Sequence, residues 1–284
     1  MKLTSKIAQD GRFSIMEEKE ELSIRASLIP GAYGESIVMR ILDPKSIQIE
    51  LENMGIEPYL FSVIEQEIVK PNGLILITGP TGSGKTTTLY AFLRKIYSPE
   101  IKIITIEDPI EYHLTGITQT QTNEERGYTF AEGLRSALRQ DPDVVMVGEI
   151  RDKETADTAV QSALTGHIVF STLHTNNAAG VIPRLIDLGV NPKILVSALS
   201  LSIAQRLVRK LCQFCKKENI PTEKEAKIIK LVLDSIKEEG KDLSKYNVKP
   251  STDFKIFSPV GCEKCNNIGY KGRIGVFEAI KTDE

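Results

Sequence analysis

The 284-residue sequence contains no tryptophan and few aromatic residues, and its 36 basic side chains are balanced by 38 acidic ones. A nearly neutral chain has no overall positive field to attract nucleic acid. It also has no stripe of aromatic and basic residues on which the bases of single-stranded nucleic acid could stack. Its least polar stretch, residues 194–204, contains three serines and is far shorter than the roughly 20 residues needed to cross a bilayer. We therefore expect no direct binding to nucleic acid, and we interpret residues 194–204 as a buried helix.

The N-terminal segment MKLTSKIAQDGRFSI has no apolar core of the kind that marks a secretion signal. The four cysteines form two CxxC pairs, Cys212 with Cys215 and Cys262 with Cys265, and this spacing is typical of a tetrahedral Cys₄ zinc site. Four buried neutral thiols are the alternative. Disulfides are disfavoured in a chain without an export signal, so we expect a cytoplasmic protein with a structural zinc ion.

From Gly73 onward, short apolar runs alternate with helical patterns. Runs of four to six branched apolar residues, each followed by a polar turn and a helix, are typical of parallel strands buried on both faces. The predicted strands are residues 74–78, 101–106, 144–147 and 168–171. The sequence therefore predicts an α/β fold in which helices cover a parallel sheet.

Other local patterns add elements around this sheet. Residues 22–28 and 35–42 predict two strands joined by a turn, and residues 56–69 predict a helix. Helix boundaries are also expected, with N-caps at Thr129, Asp152 and Asn176 and helix ends at Gly166 and Gly189.

A phosphate-binding loop is predicted between the first buried strand and the helix that follows it. GPTGSGKT fits GxxxxGK[ST] in the strand-to-helix context that this motif requires. Its backbone N–H groups would surround the β-phosphate of ATP, Lys85 would reach the β- and γ-phosphates, and the Thr86 hydroxyl would bind Mg²⁺. The predicted nucleotide-binding residues are Gly79, Pro80, Thr81, Gly82, Ser83, Gly84, Lys85, Thr86 and Thr87.

Acidic residues follow two of the other predicted strands, at the edge of the sheet where ligands of such folds bind. Glu149 comes after residues 144–147, and Glu107, Asp108 and Glu111 come after residues 101–106. Solvated turn residues are the alternative. Two acidic clusters beside a phosphate loop favour a hydrolytic site.

The chain resembles one family, the secretion and type IV pilus assembly ATPases, which include the type II secretion motor and the pilus extension motor. Four motifs in the same order carry this resemblance. They are the phosphate loop GPTGSGKTTTLY, the aspartate box ITIEDPIEY (104–112), the Walker B segment LRQDPDVVMVGEIRD (138–152) and the histidine box STLHTN (171–176). QDGRFSI and AQRLVRKLC (204–212) are also similar to sequences of the family.

The resemblance implies roles for individual residues. Glu111 would polarise the attacking water, Glu149 would act at Mg²⁺ and water, and His174 would sense the γ-phosphate or couple hydrolysis to domain motion. Arg25 and Arg40 would close over the nucleotide and neutralise charge on the γ-phosphate; arginines on a solvated strand face are the alternative. The resemblance assigns Arg135, Arg139, Arg151 and Arg184 to subunit interfaces.

The resemblance also implies a RecA-like P-loop NTPase domain, preceded by part of an α/β (PAS-like) domain and carrying a small tetracysteine zinc subdomain. The expected divisions are 1–43 for the end of the N-terminal domain, 44–55 for a linker, 56–211 for the ATPase domain, 212–265 for the zinc subdomain and 266–284 for the end of the ATPase domain. Relative to the family, the chain is expected to be truncated at both ends.

The implied function is Mg²⁺-dependent ATP hydrolysis by a homo-hexameric ring at the inner face of the cytoplasmic membrane. There it would drive pilus or pseudopilus assembly through an inner-membrane platform protein, so its membrane association would be peripheral. Two alternatives remain at this point, a nucleic-acid translocating ATPase of a DNA uptake or transfer system and a nucleotide-binding fragment without turnover of its own.

Overall fold

A computed structural model describes residues 7–17, 20–42, 49–238 and 255–282. The predicted linker start at Asp43 and Pro44 lies outside these residues, as does the part of the predicted zinc subdomain at 239–254.

The first described segments form an antiparallel sheet of three strands in the order β1, β2, β3. The strands are β1 (Gln9–Glu17), β2 (Glu20–Gly31) and β3 (Gly34–Leu42). The sequence predicted the second and third of these strands but not β1. Arg12, Arg25 and Arg40 are direct partners in the register, so they share one face of this sheet.

A seven-stranded sheet forms the centre of the molecule, in the order β12, β9, β4, β8, β7, β5, β6. All neighbours are parallel except β12, which is antiparallel to β9. The strands are β4 (Gly73–Thr78), β5 (Ile103–Glu107), β6 (Thr118–Gln121), β7 (Val144–Val147), β8 (Ile168–Leu173), β9 (Leu199–Leu211) and β12 (Tyr270–Lys281). The predicted parallel α/β sheet is therefore confirmed.

Helices cover both faces of this sheet because alternate strand residues point to opposite sides. One face packs on α1 (Pro58–Ile68) and α2 (Lys85–Ile96) through Ile75, Ile77 and Phe170. The other face, which includes Leu76 and Val145, packs on α3 (Phe130–Leu138), α4 (Lys153–Leu164), α5 (Val181–Asp187) and α6 (Pro192–Ala198).

One helix prediction is wrong in part. Only the beginning of residues 194–204 is helical, since α6 ends at Ala198 and β9 begins at Leu199. The segment LSLSI alternates apolar and hydroxyl side chains, and β9 pairs with both β4 and β12. The apolar content of this segment fits a helix or a strand equally well, and pairing with neighbouring strands determines that it is a strand.

The predicted helix boundaries are mostly confirmed. Thr129 and Asp152 cap α3 and α4 by accepting from the N–H groups of Glu132 and Thr155. Asn176 is not an N-cap, because α5 begins five residues later, at Val181. The adjacent Asn177 accepts from the Gly180 N–H at 2.8 Å instead.

A small unit lies between β9 and β12 in the chain. It contains the two-stranded antiparallel sheet of β10 (Lys217–Asn219) and β11 (Ile256–Ser258), and the amphipathic helix α7 (Glu223–Glu238). No helix in the described ranges is long and apolar enough to span a membrane.

Candidate functional site

The phosphate-loop motif connects β4 to the N-terminus of α2. Gly79, Gly82 and Gly84 have φ angles of 141°, 77° and 91°, a region that residues with a Cβ rarely adopt. The loop also packs closely, because a Cβ at Gly79 would lie 2.3 Å from the carbonyl oxygen of Gln205 on β9. At Gly82 a Cβ would meet nothing within 4 Å, so that side of the loop is open. The loop therefore has the conformation and the open face that a phosphate group requires.

Lys85 is the first residue of α2 and turns back over the loop. Its Nζ donates to the carbonyl oxygens of Gly79 at 2.9 Å and Pro80 at 3.3 Å. Burial lowers the pKa of this ammonium, and the negative charge of Glu149 offsets part of that effect. The ammonium of Lys85 is thus held at the N-terminus of α2, beside the open face of the loop.

A cavity of about 580 Å³ opens at the C-terminal edge of the sheet, next to the loop. It brings together four of the five predicted catalytic residues, which come from β3 and from the segments after β5, β7 and β8: Arg40, Glu111, Glu149 and His174. Six of the nine predicted nucleotide-binding residues line it as well: Thr81, Gly82, Gly84, Lys85, Thr86 and Thr87. Of the other three, Gly79 and Ser83 are buried and Pro80 is exposed. Arg25 is exposed and lies between Arg12 and Arg40 in the register, outside the cavity wall.

Glu149 lies at the centre of the charged groups in this cavity. One carboxylate oxygen pairs with the guanidinium of Arg151, and the other lies 3.3 Å from Nε2 of His174. Burial would raise the pKa of Glu149, but Arg151 and His174 outweigh it and hold that pKa below its ordinary value. The carboxylate therefore stays ionised at neutral pH. Its oxygens and the Thr86 hydroxyl line the same cavity and are the hard ligands that Mg²⁺ prefers.

Arg151 is a cavity residue that the sequence analysis placed at a subunit interface. Besides Glu149 it lies 3.8 Å from a carboxylate oxygen of Asp108, and its guanidinium is 6.0 Å from the centre of the Phe130 ring. Its position two residues after Glu149 was the available signal. Arg135 and Arg139 instead pair within the chain with Glu132, on the outer surface of α3.

Glu107 differs from its acidic neighbours because it is almost completely buried, with 2% of its surface exposed. It accepts hydrogen bonds from the Tyr90 hydroxyl, from Thr105 Oγ1 at 2.5 Å and from Gln119 Nε2 at 3.0 Å. Burial raises its pKa, although these hydrogen bonds act in the opposite direction. The same Gln119 amide bonds the backbone of the segment that carries Glu111, donating to the Tyr112 carbonyl at 3.1 Å. Through Gln119, Glu107 therefore helps to hold the segment that carries Glu111 in place.

Arg12 has no role in the predictions made from the sequence. It lies in the QDGRFSI motif on β1, and its guanidinium donates to the carbonyl oxygens of Ile110 and Glu111. This contact joins the three-stranded sheet to the aspartate-box segment. The match of its motif to family sequences was the only signal in the sequence.

The four cysteines converge between the end of β9 and the start of β12. Their sulfur atoms all lie within 4.8 Å of one another, and three of the separations are 3.9 Å for Cys212 and Cys262, 3.8 Å for Cys215 and Cys265, and 3.8 Å for Cys262 and Cys265. A tetrahedron with edges of about 3.8 Å has its centre about 2.3 Å from each corner, which is the zinc–thiolate distance. The cluster therefore fits zinc.

Backbone N–H groups support the thiolate form of this cluster. The amides of Cys262 and Gly269 donate to Cys265 Sγ at 3.2 Å and 3.3 Å, and the amide of Gly261 donates to Cys215 Sγ at 3.4 Å. Burial disfavours the charge on both of these thiols: it raises the pKa of Cys215 to about 11, whereas at Cys265 the hydrogen bonds outweigh burial and lower the pKa to about 6. Protein supplies all four ligands, as in a structural site.

Comparison with known families decides the assignment. The model of the family described as "Type II/IV secretion system protein" matches residues 3–284. The chain belongs to this family. It is 47% identical over 279 residues to the type II secretion system protein E of Aeromonas hydrophila, covering 98% of this chain and 52% of that protein. It is 41% identical to the type IV pilus assembly ATPase PilB of Myxococcus xanthus, covering 97% of this chain and 46% of that protein.

Solved structures show the same fold. The pilus retraction motor PilT with bound ADP has a TM-score of 0.61 and 31% identity, covering 85% of this chain and 72% of that one. The ATPase DotB of Legionella pneumophila has a TM-score of 0.61 and 29% identity, covering 73% of this chain and 60% of that one. This family member spans about half the length of the curated relatives it matches.

Proposed function

We propose that this chain binds ATP with Mg²⁺ and hydrolyses it as the motor part of a type II secretion or type IV pilus assembly machine. The observation that carries the proposal is the cavity in which the phosphate loop, Glu111, Glu149, His174 and Arg40 meet. A simple anion site needs the loop alone. Two carboxylates near a phosphate would weaken its binding, so their presence is explained by hydrolysis.

A second cavity supports a nucleotide as the ligand. It has a volume of about 340 Å³ and shares Gly84 and Thr87 with the first cavity. Met54, Leu207 and Phe277 contribute apolar side chains to its wall, and such a wall suits the flat face of a base. With the phosphates on the loop, the nucleoside would occupy this cavity.

The protein groups divide the work of hydrolysis among them. The N–H groups of the loop and Lys85 hold the β- and γ-phosphates, and Glu111 polarises a water molecule that attacks the γ-phosphorus. The bond from the γ-phosphorus to the bridging oxygen then breaks, and ADP and phosphate leave. Arg40 neutralises charge on the γ-phosphate, and His174 links the Glu149 carboxylate to the end of β8. Thr86 and Glu149 would hold Mg²⁺, which supplies charge neutralisation at the phosphate oxygens.

We further propose that the protein acts as a homo-hexameric ring at the inner face of the cytoplasmic membrane, where it drives a platform protein. The support is the family of the chain and the names of its relatives. We propose the division of the chain at residues 43, 55, 211 and 265 as its domain organisation, with Arg25 acting beside Arg40. Arg25 shares a sheet face with Arg40, so movement of that sheet would carry both arginines.

The test is the ATPase rate of the purified chain with Mg²⁺, compared with Lys85→Ala and Glu111→Gln. We expect Lys85→Ala to abolish nucleotide binding and Glu111→Gln to lower kcat by about 100-fold or more while ATP still binds. Lys95→Ala is the matched control for the first variant, since Lys95 lies at the other end of α2 and pairs with Glu52 and Glu65. Glu125→Gln is the control for the second.

Size-exclusion chromatography with and without a nonhydrolysable ATP analogue tests whether the ring forms, and the ATPase rate is measured on the same fractions. ATP turnover that is unchanged in Lys85→Ala or Glu111→Gln would refute the motor function. Binding of ATP without turnover by the unsubstituted chain would favour a nucleotide-binding fragment.

A further inference from the structure

Arg12 forms a two-pronged contact with the segment that carries Glu111. Its Nη1 donates to the carbonyl oxygen of Ile110 at 3.1 Å, and its Nη2 lies 3.4 Å from the carbonyl oxygen of Glu111. Nη2 also lies 3.3 Å from the hydroxyl of Ser23 on β2. The guanidinium thus bridges a strand of the three-stranded sheet and two consecutive peptide groups of the aspartate box.

The acceptors of this contact are main-chain oxygens, so Arg12 fixes the backbone at Glu111 and leaves the carboxylate of Glu111 free for chemistry. A planar guanidinium can reach two neighbouring acceptors at once, whereas the ammonium of a lysine is a single point charge. From the interior side, the Gln119 side chain holds the same segment by bonding the Tyr112 carbonyl and the Leu114 N–H. The backbone at Glu111 is therefore held by Arg12 on one side, and the residues that follow it are held by the half-buried Gln119.

The register connects this contact to the cavity. Arg12, Arg25 and Arg40 are aligned across β1, β2 and β3, and Arg40 lines the cavity. Arg40 at the cavity and Arg12 on the Glu111 backbone therefore project from the same face of the three-stranded sheet. Movement of this sheet would change the position of both groups together.

We propose that Arg12 is a positioning residue for the hydrolysis described above: it fixes the backbone of Glu111, so that the position of the three-stranded sheet controls where the Glu111 carboxylate points. The inference rests on the proposed function, because it assigns Glu111 the water-activating role. Small displacements of a catalytic group have large effects on rate. Loss of this contact therefore acts on the chemical step more than on nucleotide affinity.

The first test compares Arg12→Ala and Arg12→Lys with the unsubstituted 284-residue chain, in both ATPase kinetics and binding of a fluorescent nonhydrolysable ATP analogue. We expect kcat to fall at least about tenfold in Arg12→Ala, with the dissociation constant of the analogue within twofold. Arg12→Lys recovers only a small part of kcat. Arg126→Ala is the control, since Arg126 is an exposed arginine on the turn Glu124–Arg126 and does not line the cavity.

A double variant separates positioning from a general structural effect. If Arg12 acts through Glu111, Arg12→Ala causes no further loss of kcat in a Glu111→Gln background. A loss that multiplies with that of Glu111→Gln, or a kcat of Arg12→Ala within twofold of the unsubstituted chain, would overturn the inference.

Hydrogen exchange gives a readout that does not depend on turnover. Amide exchange in residues 108–114 rises in Arg12→Ala, while exchange in β4 and β7 stays unchanged; unchanged exchange in 108–114 contradicts the proposed contact. An unsubstituted chain without ATP turnover would refute the proposed function, whereas normal turnover that is insensitive to Arg12→Ala would refute this inference alone.

Discussion

Removal of the metal from the tetracysteine cluster is the perturbation whose effect on stability follows most directly from the structure. The cluster joins the end of β9 to the segment before β12, because Cys212 follows β9 directly and Cys265 lies five residues before Tyr270. Cys212 and Cys262 are 50 residues apart in the sequence. Metal binding would therefore close a long loop whose described part contains β10, β11 and α7.

The size of the effect can be worked out from the length of that loop. For a cross-link that closes about 50 residues, the loss of chain entropy in the unfolded state corresponds to about 4 kcal/mol at 25 °C. Few core contacts compensate for this loss, because α7 has no buried residue. The seven-stranded sheet keeps its own two-sided core. We therefore expect metal loss to unfold the small unit between β9 and β12 while the main sheet remains folded.

The assay combines zinc content, urea unfolding and limited proteolysis before and after chelation. We expect about one zinc per chain, a low-urea transition that appears only after chelation, and new cleavage confined to residues 216–261. Cys265→Ser should reproduce the chelated state, and Gln213→Ser, an exposed substitution within the first CxxC pair, should not. A chain that binds no zinc, or whose protease sensitivity is the same with and without chelator, would refute the reasoning.

Further predictions concern single side chains. Because burial raises the pKa of Glu107, native protein binds that proton more tightly than the unfolded chain, and the free energy of unfolding decreases as pH rises above about 4.3; Glu107→Gln should flatten this dependence in urea titrations at pH 5 and 7. Thr129→Ala removes the cap of α3 and should cost about 1 kcal/mol in the same assay. Gly79→Ala places a Cβ 2.3 Å from the Gln205 carbonyl oxygen, and calorimetry and nucleotide titration should show a lower Tm and lost binding. Arg40→Ala should lower kcat by about 100-fold in steady-state ATPase assays with little change in nucleotide affinity.

The central sheet was predictable because its strands are buried on both faces. Residues 144–147 match β7 and residues 74–78 lie within β4, since apolar runs of this length between polar turns leave little choice. Edge strands gave no such signal. The strand β6 has the sequence TQTQ, and each of its four residues is exposed or half-buried. Its pairing with β5 depends on a neighbour that the local sequence does not reveal.

The site was predictable wherever one motif supplies both the position and the chemistry. The segment from Gly79 to Thr86 follows β4 directly, and Glu149 follows β7 after one residue, so the strand prediction also places them at the edge of the sheet. Arg151 and Arg12 required the structure, because an arginine two residues after an acid, or in a polar N-terminal motif, has many other uses. The distinction between Glu107 and Glu111 also depends on tertiary burial, since both acids belong to one short motif.

In the proposed mechanism, different parts of the fold bind phosphate and activate water. The loop lies between β4, an inner strand of the seven-stranded sheet, and α2, which begins with Lys85 and Thr86. Glu111 lies in a segment that Gln119 holds from inside and Arg12 holds from outside, and Arg40 comes from that same outer sheet. In the proposed mechanism, nucleotide binds on the loop before the outer sheet reaches its place, whereas hydrolysis also needs Arg40 at the cavity and Arg12 on the aspartate-box segment. In a motor, this separation would delay hydrolysis until the conformational change that performs work has occurred.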